Sequence, residues 1–185
     1  MARVDPLKVR LTDLKRITAL EGMPDRKLRK LLPLSRKRVL PKNTIVFLED
    51  EPAYHMYFLL SGDVAVTVDQ SRSTVYHAQA GQCFGWSAVV APYLFTTTTQ
   101  CTEPSVVLEM DGAGLRKLFT RDHRLGHLYM AAVSRIIATR LQDTRRFFTE
   151  LLSRRNQDEA RRAAPVAAEP EAVPVGGTSS VRGRS

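Results

Sequence analysis

The chain has 185 residues, 43% of them hydrophobic and 25% charged, with a formal net charge of +9. That length supports one filled core of roughly 120–150 residues plus an extension. Apolar runs such as Met56–Leu60 are far too short to span a bilayer, and Met1–Pro6 lacks the apolar stretch of a secretory signal, so a cytoplasmic protein without membrane contact is expected. Cys83 and Cys101 stand 18 residues apart, without a Cys-x-x-Cys spacing or a nearby histidine pair. Two buried, reduced thiols are expected there, rather than a disulfide or a metal site. The charge is unevenly spread: residues 1–42 carry a net +9, residues 43–120 a net −5 and residues 121–185 a net +5. Basic flanks of this kind can attract nucleic acid or acidic partners. On helices they more often form a solvated face, which is the expected use here.

In chain order, Leu7, Leu11, Leu14, Ile17 and Leu20 recur at spacings of three and four, which predicts a helix over about 7–20, broken by Gly22. Pro24-Asp25 opens a second short helix that carries Leu28, Leu31 and Leu32 and ends at Pro33. From residue 36 the pattern becomes that of strands. Val39-Leu40, Thr44–Leu48, Met56–Leu60, Asp63–Val68, Thr74–Gln79, Cys83-Phe84, Thr96–Cys101 and Val106–Met110 are the predicted strands. Turn residues separate them, among them Asn43, which suits a positive φ, and Ser61-Gly62-Asp63. Short strands joined by tight turns favour a small double-sheet barrel or jelly roll over a parallel α/β sheet.

Helix returns at about 112–119 and again from about 122 to 153. In the longer helix Met130, Ser134, Ile137, Leu141, Thr144, Phe148 and Leu151 alternate steps of four and three, a heptad-like seam. Phe147, Phe148, Leu151 and Leu152 extend past where the barrel should end. A partner helix from a second copy is expected to cover them, with folding back on the N-terminal helices as the alternative. After Arg155 the chain is rich in Ala, Pro, Glu, Gly and Ser, which predicts disorder. The predicted organisation is N-terminal helices at 1–34 packed on a barrel core at 35–120, with a short helix at 86–90, a dimer helix at 121–153 and a disordered tail at 154–185.

This order of elements resembles the cyclic nucleotide-binding domain, as in the sensor half of Crp/Fnr-type regulators, over roughly residues 11–152. The fold it implies is mainly β, a double-stranded β-helix or jelly-roll barrel with flanking helices. Tyr57–Val64 is similar to the family's strand-turn-strand signature, with Gly62 at its near-obligatory glycine. Asn43–Asp50 is similar to the preceding strand, although Asn43 replaces a usual glycine and Glu49-Asp50-Glu51 replaces Glu-Gly-Asp. Gly81-Gln82-Cys83-Phe84-Gly85 leads into the phosphate cassette, and Arg140–Thr144 resembles the dimer-helix segment of the cAMP-responsive members.

The resemblance implies a ligand pocket around Gly85, Trp86, Ser87, Ala88, Leu94, Thr96, Thr97 and Thr144. Backbone N–H groups of Gly85 to Ala88 would attract an anion without side-chain charge. In the family a glutamate after the Phe-Gly pair binds the ribose hydroxyl, and an arginine eight to ten residues later forks onto the cyclic phosphate. Here Trp86 holds the first position, the second falls at Leu94 to Thr96, and no Lys or Arg lies between Arg72 and Arg116. Weak or absent cAMP and cGMP binding is expected unless basic groups arrive from elsewhere. Ser87, Thr96 and Thr97 could hold another small, nucleotide-like or neutral ligand, Trp86 could stack on a flat ring, or Trp86, Tyr93, Leu94 and Phe95 could fill the pocket. Thr144 matches an adenine-contacting position, although Arg145 replaces its companion.

Other chemistries are weaker. His123 and His127 lie four apart on a helix with no third metal ligand nearby, and Gly85-Trp86-Ser87-Ala88-Val89 lacks the second glycine of a nucleophile elbow. No enzyme and no certain cofactor are expected. The expected function is a stand-alone sensor or regulatory module, homodimeric through Met130, Ile137, Leu141, Phe148 and Leu151, signalling to an unidentified protein partner. One alternative is a DNA-binding regulator, for which the residues after the long helix leave no room for a winged helix-turn-helix. Another is a structural or targeting domain.

Overall fold

The computed structural model describes residues 7–68 and 73–163. Eight strands form two antiparallel four-stranded sheets. They are β1 (Ser35–Leu40), β2 (Ile45–Phe47), β3 (His55–Ser61), β4 (Val64–Val68), β5 (Ser73–Ala78), β6 (Cys83–Phe84), β7 (Thr98–Cys101) and β8 (Ser105–Asp111). One sheet has the order β1-β8-β3-β6 and the other β2-β7-β4-β5. Apart from the β4–β5 hairpin, consecutive strands alternate between the sheets, so the two inner faces enclose one core. That is the jelly-roll arrangement the strand spacing predicts. β3 lies between β8 and β6, and Met56 to Leu60 are all buried. Burial on both faces is why this strand reads as an unbroken apolar run rather than an alternation.

The β3–β4 turn depends on Gly62, which has φ 94°. A Cβ there would come within 2.6 Å of the Pro104 carbonyl oxygen, so no side chain fits. β1 begins at Ser35, earlier than the predicted Val39-Leu40, and pairs with β8 from Ser35↔Met110 to Leu40↔Ser105. Its charged residues obscure the strand in the sequence. They are accommodated by acids on neighbouring elements: Lys37 Nζ lies 2.9 Å from Asp13, and Arg38 Nη1 lies 2.9 Å from Glu109.

The helix predicted over 7–20 is shorter and divided. α1 spans Leu11–Lys15 and is followed by a 3-10 turn at Thr18–Leu20. The Asp13 carboxylate accepts the Arg10 N–H at 2.8 Å and fixes the start. Beyond the helix, the Thr18 N–H donates to the Gly81 carbonyl at 3.1 Å instead of to its own helix. A tertiary bond therefore wins over local periodicity, while Leu14, Ile17 and Leu20 still reach the core. α2 spans Asp25–Leu31, with Pro33 in the 3-10 turn after it.

α3 (Gly112–Arg121) leads directly into α4 (His123–Ala163). Asp122, between them, accepts the Leu125 N–H at 3.0 Å and ion-pairs with Lys27 at 2.6 Å and Lys30 at 2.7 Å. These lysines hold the Asp122 carboxyl well below the usual carboxylate range, Lys27 most strongly. The pair ties α2 to the start of α4. Leu125, Tyr129, Ala132 and Val133 form the buried face of α4 at helical spacing. The Tyr129 hydroxyl, fully buried, lies 3.2 Å from Met56 Sδ.

α4 also runs ten residues past the predicted end at 153. Residues 154–163 are therefore helical rather than disordered. No proline occurs between Pro104 and Pro165, and Arg155 sits 3.6 Å from Glu159 one turn on. The rest of the predicted tail, 164–185, lies outside the described residues. Contacts divide the chain into one compact unit ending at Thr144 and a second from Arg145.

Candidate functional site

The cassette begins at β6 and turns at Gly85, which adopts a left-handed conformation with φ 69°. Trp86–Ala88 form a single 3-10 turn, closed by Ala88 N–H to Gly85 O at 3.2 Å and Val89 N–H to Trp86 O at 2.9 Å. The predicted short helix at 86–90 is thus one turn long. A Cβ on Gly85 would meet ring carbons of Phe47, Tyr57 and Phe95, each at 3.2 Å. Those rings form a stack: Phe47 and Phe95 centroids are 3.7 Å apart and nearly parallel, and Tyr57 lies 5.4 Å from Phe84. Four aromatic side chains therefore fill the barrel beneath the cassette turn. Burial, followed by the nearby Glu109 carboxylate, pushes the Tyr57 hydroxyl up to about 12.

The second half of the cassette is pinned to the β2–β3 loop. Asp50 N–H donates to Phe95 O at 2.8 Å, Phe95 N–H to Glu51 O at 2.9 Å, and Ala53 N–H to Tyr93 O at 2.8 Å. Leu94 bridges to Pro52. This places the acidic run Glu49-Asp50-Glu51 alongside the segment where the family carries its phosphate-binding arginine. The Thr98 hydroxyl accepts the Glu49 N–H at 3.0 Å.

A basic group does arrive from elsewhere, and sequence spacing could not place it. Arg116, on α3, donates through Nη1 to the Ala88 carbonyl, and its guanidinium carbon lies 4.4 Å from the Tyr93 ring centroid. Both contacts are with the cassette itself. Arg116 caps the carbonyl end of the 3-10 turn and clamps the following loop, where a phosphate ligand would require the same fork. Gly112 makes the approach possible, because a Cβ there would come within 2.7 Å of the Ala88 oxygen.

The predicted site residues are only partly brought together. Gly85, Trp86 and Ser87 are half-buried and Ala88 is buried, with Trp86 packed against the core. Leu94 is 40% exposed, Thr96 is exposed and Thr97 is half-buried. Thr99, outside the predicted set, is fully buried, and its hydroxyl has no partner. Thr144 is exposed and donates to the Arg140 carbonyl at 2.9 Å, the local backbone bond common for helical threonines.

Residues 37–122 match the model of the cyclic nucleotide-binding domain. Residues 37–122 are a cyclic nucleotide-binding domain. A presumptive cyclic nucleotide-binding protein of Geobacter metallireducens superposes with a TM-score of 0.67 at 26% identity, over 72% of this chain and 98% of that one. The sensor domain of the transcriptional regulator DNR from Pseudomonas aeruginosa shares the fold, with a TM-score of 0.57 at 21% identity over 68% of this chain and 91% of that one. A Rhodopseudomonas palustris protein named as a presumptive potassium channel is 29% identical over 93 residues, which is 50% of this chain but 23% of that protein's length.

Beyond the domain's barrel, the predicted seam on α4 has two environments. Met130 and Ile137 are half-buried against this chain's own core. Leu141, Phe148 and Leu151 are 69%, 60% and 46% exposed. No helix among the described residues is long and apolar enough to cross a membrane. Cys83 and Cys101 are buried free thiols, and burial pushes the Cys83 thiol up to about 12, which leaves it unreactive. His123 and His127 are exposed, and no cluster of three metal-ligating side chains occurs among the described residues.

Proposed function

We propose that this chain is a non-enzymatic regulatory module of the cyclic nucleotide-binding type that binds cAMP and cGMP weakly or not at all. The observation that carries the reading is the state of the cassette. Trp86 stands where the ribose acceptor belongs, no arginine lies between Gly85 and Thr99, and the one guanidinium that reaches the turn bonds to Ala88 and stacks on Tyr93. Loss of a charge-assisted bond costs about 1.5–3 kcal/mol, which is roughly ten- to a hundredfold in affinity. The adjoining Glu49-Asp50-Glu51 run opposes an anion further. Calorimetric titration with cAMP and cGMP tests this reading; a Kd below about 10 μM for either would refute it.

The module acts as a homodimer that signals through α4 to a protein partner. Support comes from the exposed Leu141, Phe147, Phe148, Leu151 and Leu152 on that helix, whose three- and four-residue spacing suits a second copy of the same helix. The sensor domain of a transcriptional regulator among the structural neighbours supports a sensing role. Sedimentation analysis should show a dimer that Phe148→Glu with Leu151→Glu converts to monomer. A monomeric parent chain would remove this part of the proposal.

A further inference from the structure

Away from the cassette turn, space remains against α4. A cavity of about 280 Å³ is bounded by the 3-10 turn at Thr18-Ala19, the Gly81–Cys83 turn and α4 between Ala132 and Asp143. Of the cassette, only Cys83 at its start lines it. Its walls combine apolar groups, including Ala19, Ala132 and Ile136, with the two guanidinium groups of Arg135 and Arg140 and the single carboxylate of Asp143.

Arg140 is built into this wall. Its side chain is only 16% exposed, and its guanidinium carbon lies 3.8 Å from the centroid of the Tyr76 ring. Nη2 donates to Gln82 Oε1 at 2.7 Å, and the same oxygen also accepts the Gln79 N–H at 3.1 Å. Ring and amide together fix the plane of the fork. The Asp143 carboxylate lies 3.7 Å from Nη1, beyond hydrogen-bond distance, and its side chain is 50% exposed. A guanidinium has five N–H donors; this one is oriented by its ring and amide partners and is paired only by the longer Asp143 contact, which leaves donors for a closer acceptor. A buried charge in that condition favours an anion that can accept two parallel bonds.

We propose that this cavity binds a small organic anion, a carboxylate or phosphate monoester with a compact apolar body, with its charged group on Arg140. The volume of about 280 Å³ lies at the lower edge of small-molecule sites. The apolar walls would take the body of the ligand and Arg135 would strengthen the attraction at the rim. The bound anion would join α4 to the Gly81–Cys83 turn and to the N-terminal 3-10 turn, three elements of one compact unit. The site touches the cassette only at Cys83 and does not rest on how the cassette treats cyclic nucleotides.

Calorimetric titration of the full chain with benzoate, phenyl phosphate and the neutral benzamide tests the assignment. At least one anion should bind, with benzamide about tenfold or more weaker. Benzoate alone would assign a carboxylate ligand, phenyl phosphate alone a phosphate monoester, and both together the shared anion chemistry. Arg140→Gln should weaken binding about tenfold or more. Ala19→Leu, which fills the cavity and leaves Arg140 in place, should abolish it, and it decides the matter if Arg140→Gln fails to fold. Equal binding of benzamide, no heat with either anion at millimolar concentration, or unchanged binding in folded Ala19→Leu would overturn the proposal.

Discussion

Beneath Gly85 four aromatic rings fill the barrel, and the guanidinium of Arg116 is spent on a carbonyl and a ring. Against α4, a cavity of about 280 Å³ remains beside the guanidinium of Arg140, which is fixed in plane but has no carboxylate within hydrogen-bond distance. Both regions use an arginine stacked on a tyrosine. The difference lies in what else the arginine touches and whether volume is left in front of it. Family resemblance directs attention to the first region, whereas packing and unspent charge direct it to the second.

The sharpest way to break this comparison is to alter the packing of each region. Phe47→Ala should cost about 3–5 kcal/mol of stability in denaturant unfolding, because Phe47 is 5% exposed and stacks on Phe95. Ala19→Leu should stay within about 1 kcal/mol, since it enters existing space. Equal costs would mean that the two regions are equally packed. Arg116→Ala should cost about 1–3 kcal/mol and leave cyclic nucleotide affinity no weaker, because its fork serves the cassette backbone. A fall in that affinity would show that Arg116 reaches the ligand.

Titrations sharpen the same contrast with smaller effects. The Tyr57 hydroxyl is raised from its usual 10 to about 12 in the fold. Its contribution to stability is therefore complete below pH 10 and lost as pH rises from 10 towards 12. Denaturant unfolding measured between pH 10 and 12 should show this loss, and Tyr57→Phe should remove it. Asp122 has the opposite sign and lies away from both regions. Its carboxyl is depressed by Lys27 and Lys30, so its contribution is present above the ordinary carboxylate range and disappears as pH falls below about 4. Asp122→Asn should flatten the acid limb of stability and leave the alkaline limb unchanged.

Much of this was readable in the sequence because it is local. The alternation of short apolar runs and turn residues identifies the strands, and Gly62 and Asn43 announce positive-φ turns. The three- and four-residue spacings identify α2, α3 and α4. The replacement of the cassette's glutamate and arginine by Trp86 and by Leu94 to Thr96 is equally plain. Three features escaped that reading. β1 is hidden by Arg36-Lys37-Arg38, and Asp13 and Glu109 accommodate the Lys37 and Arg38 charges only after the sheet forms. The division of the first helix depends on the Gly81 carbonyl, sixty-three residues from Thr18. The helical stretch at 154–163 was masked by the Pro- and Gly-rich composition that follows it.

The sequence by itself determined where the strands lie along the chain, the turn glycines, the apolar stripe of α4 and the chemistry missing from the cassette, since each is written in residues close together in the chain. Only the tertiary structure decided where charge ends up. Arg116 lies 28 residues from Ala88, Arg140 lies 58 from Gln82, and Asp122 lies 95 from Lys27. Whether a guanidinium is spent on its own backbone or held ready beside a cavity depends on which distant groups the folded core brings within about 3 Å, and no local pattern carries that information.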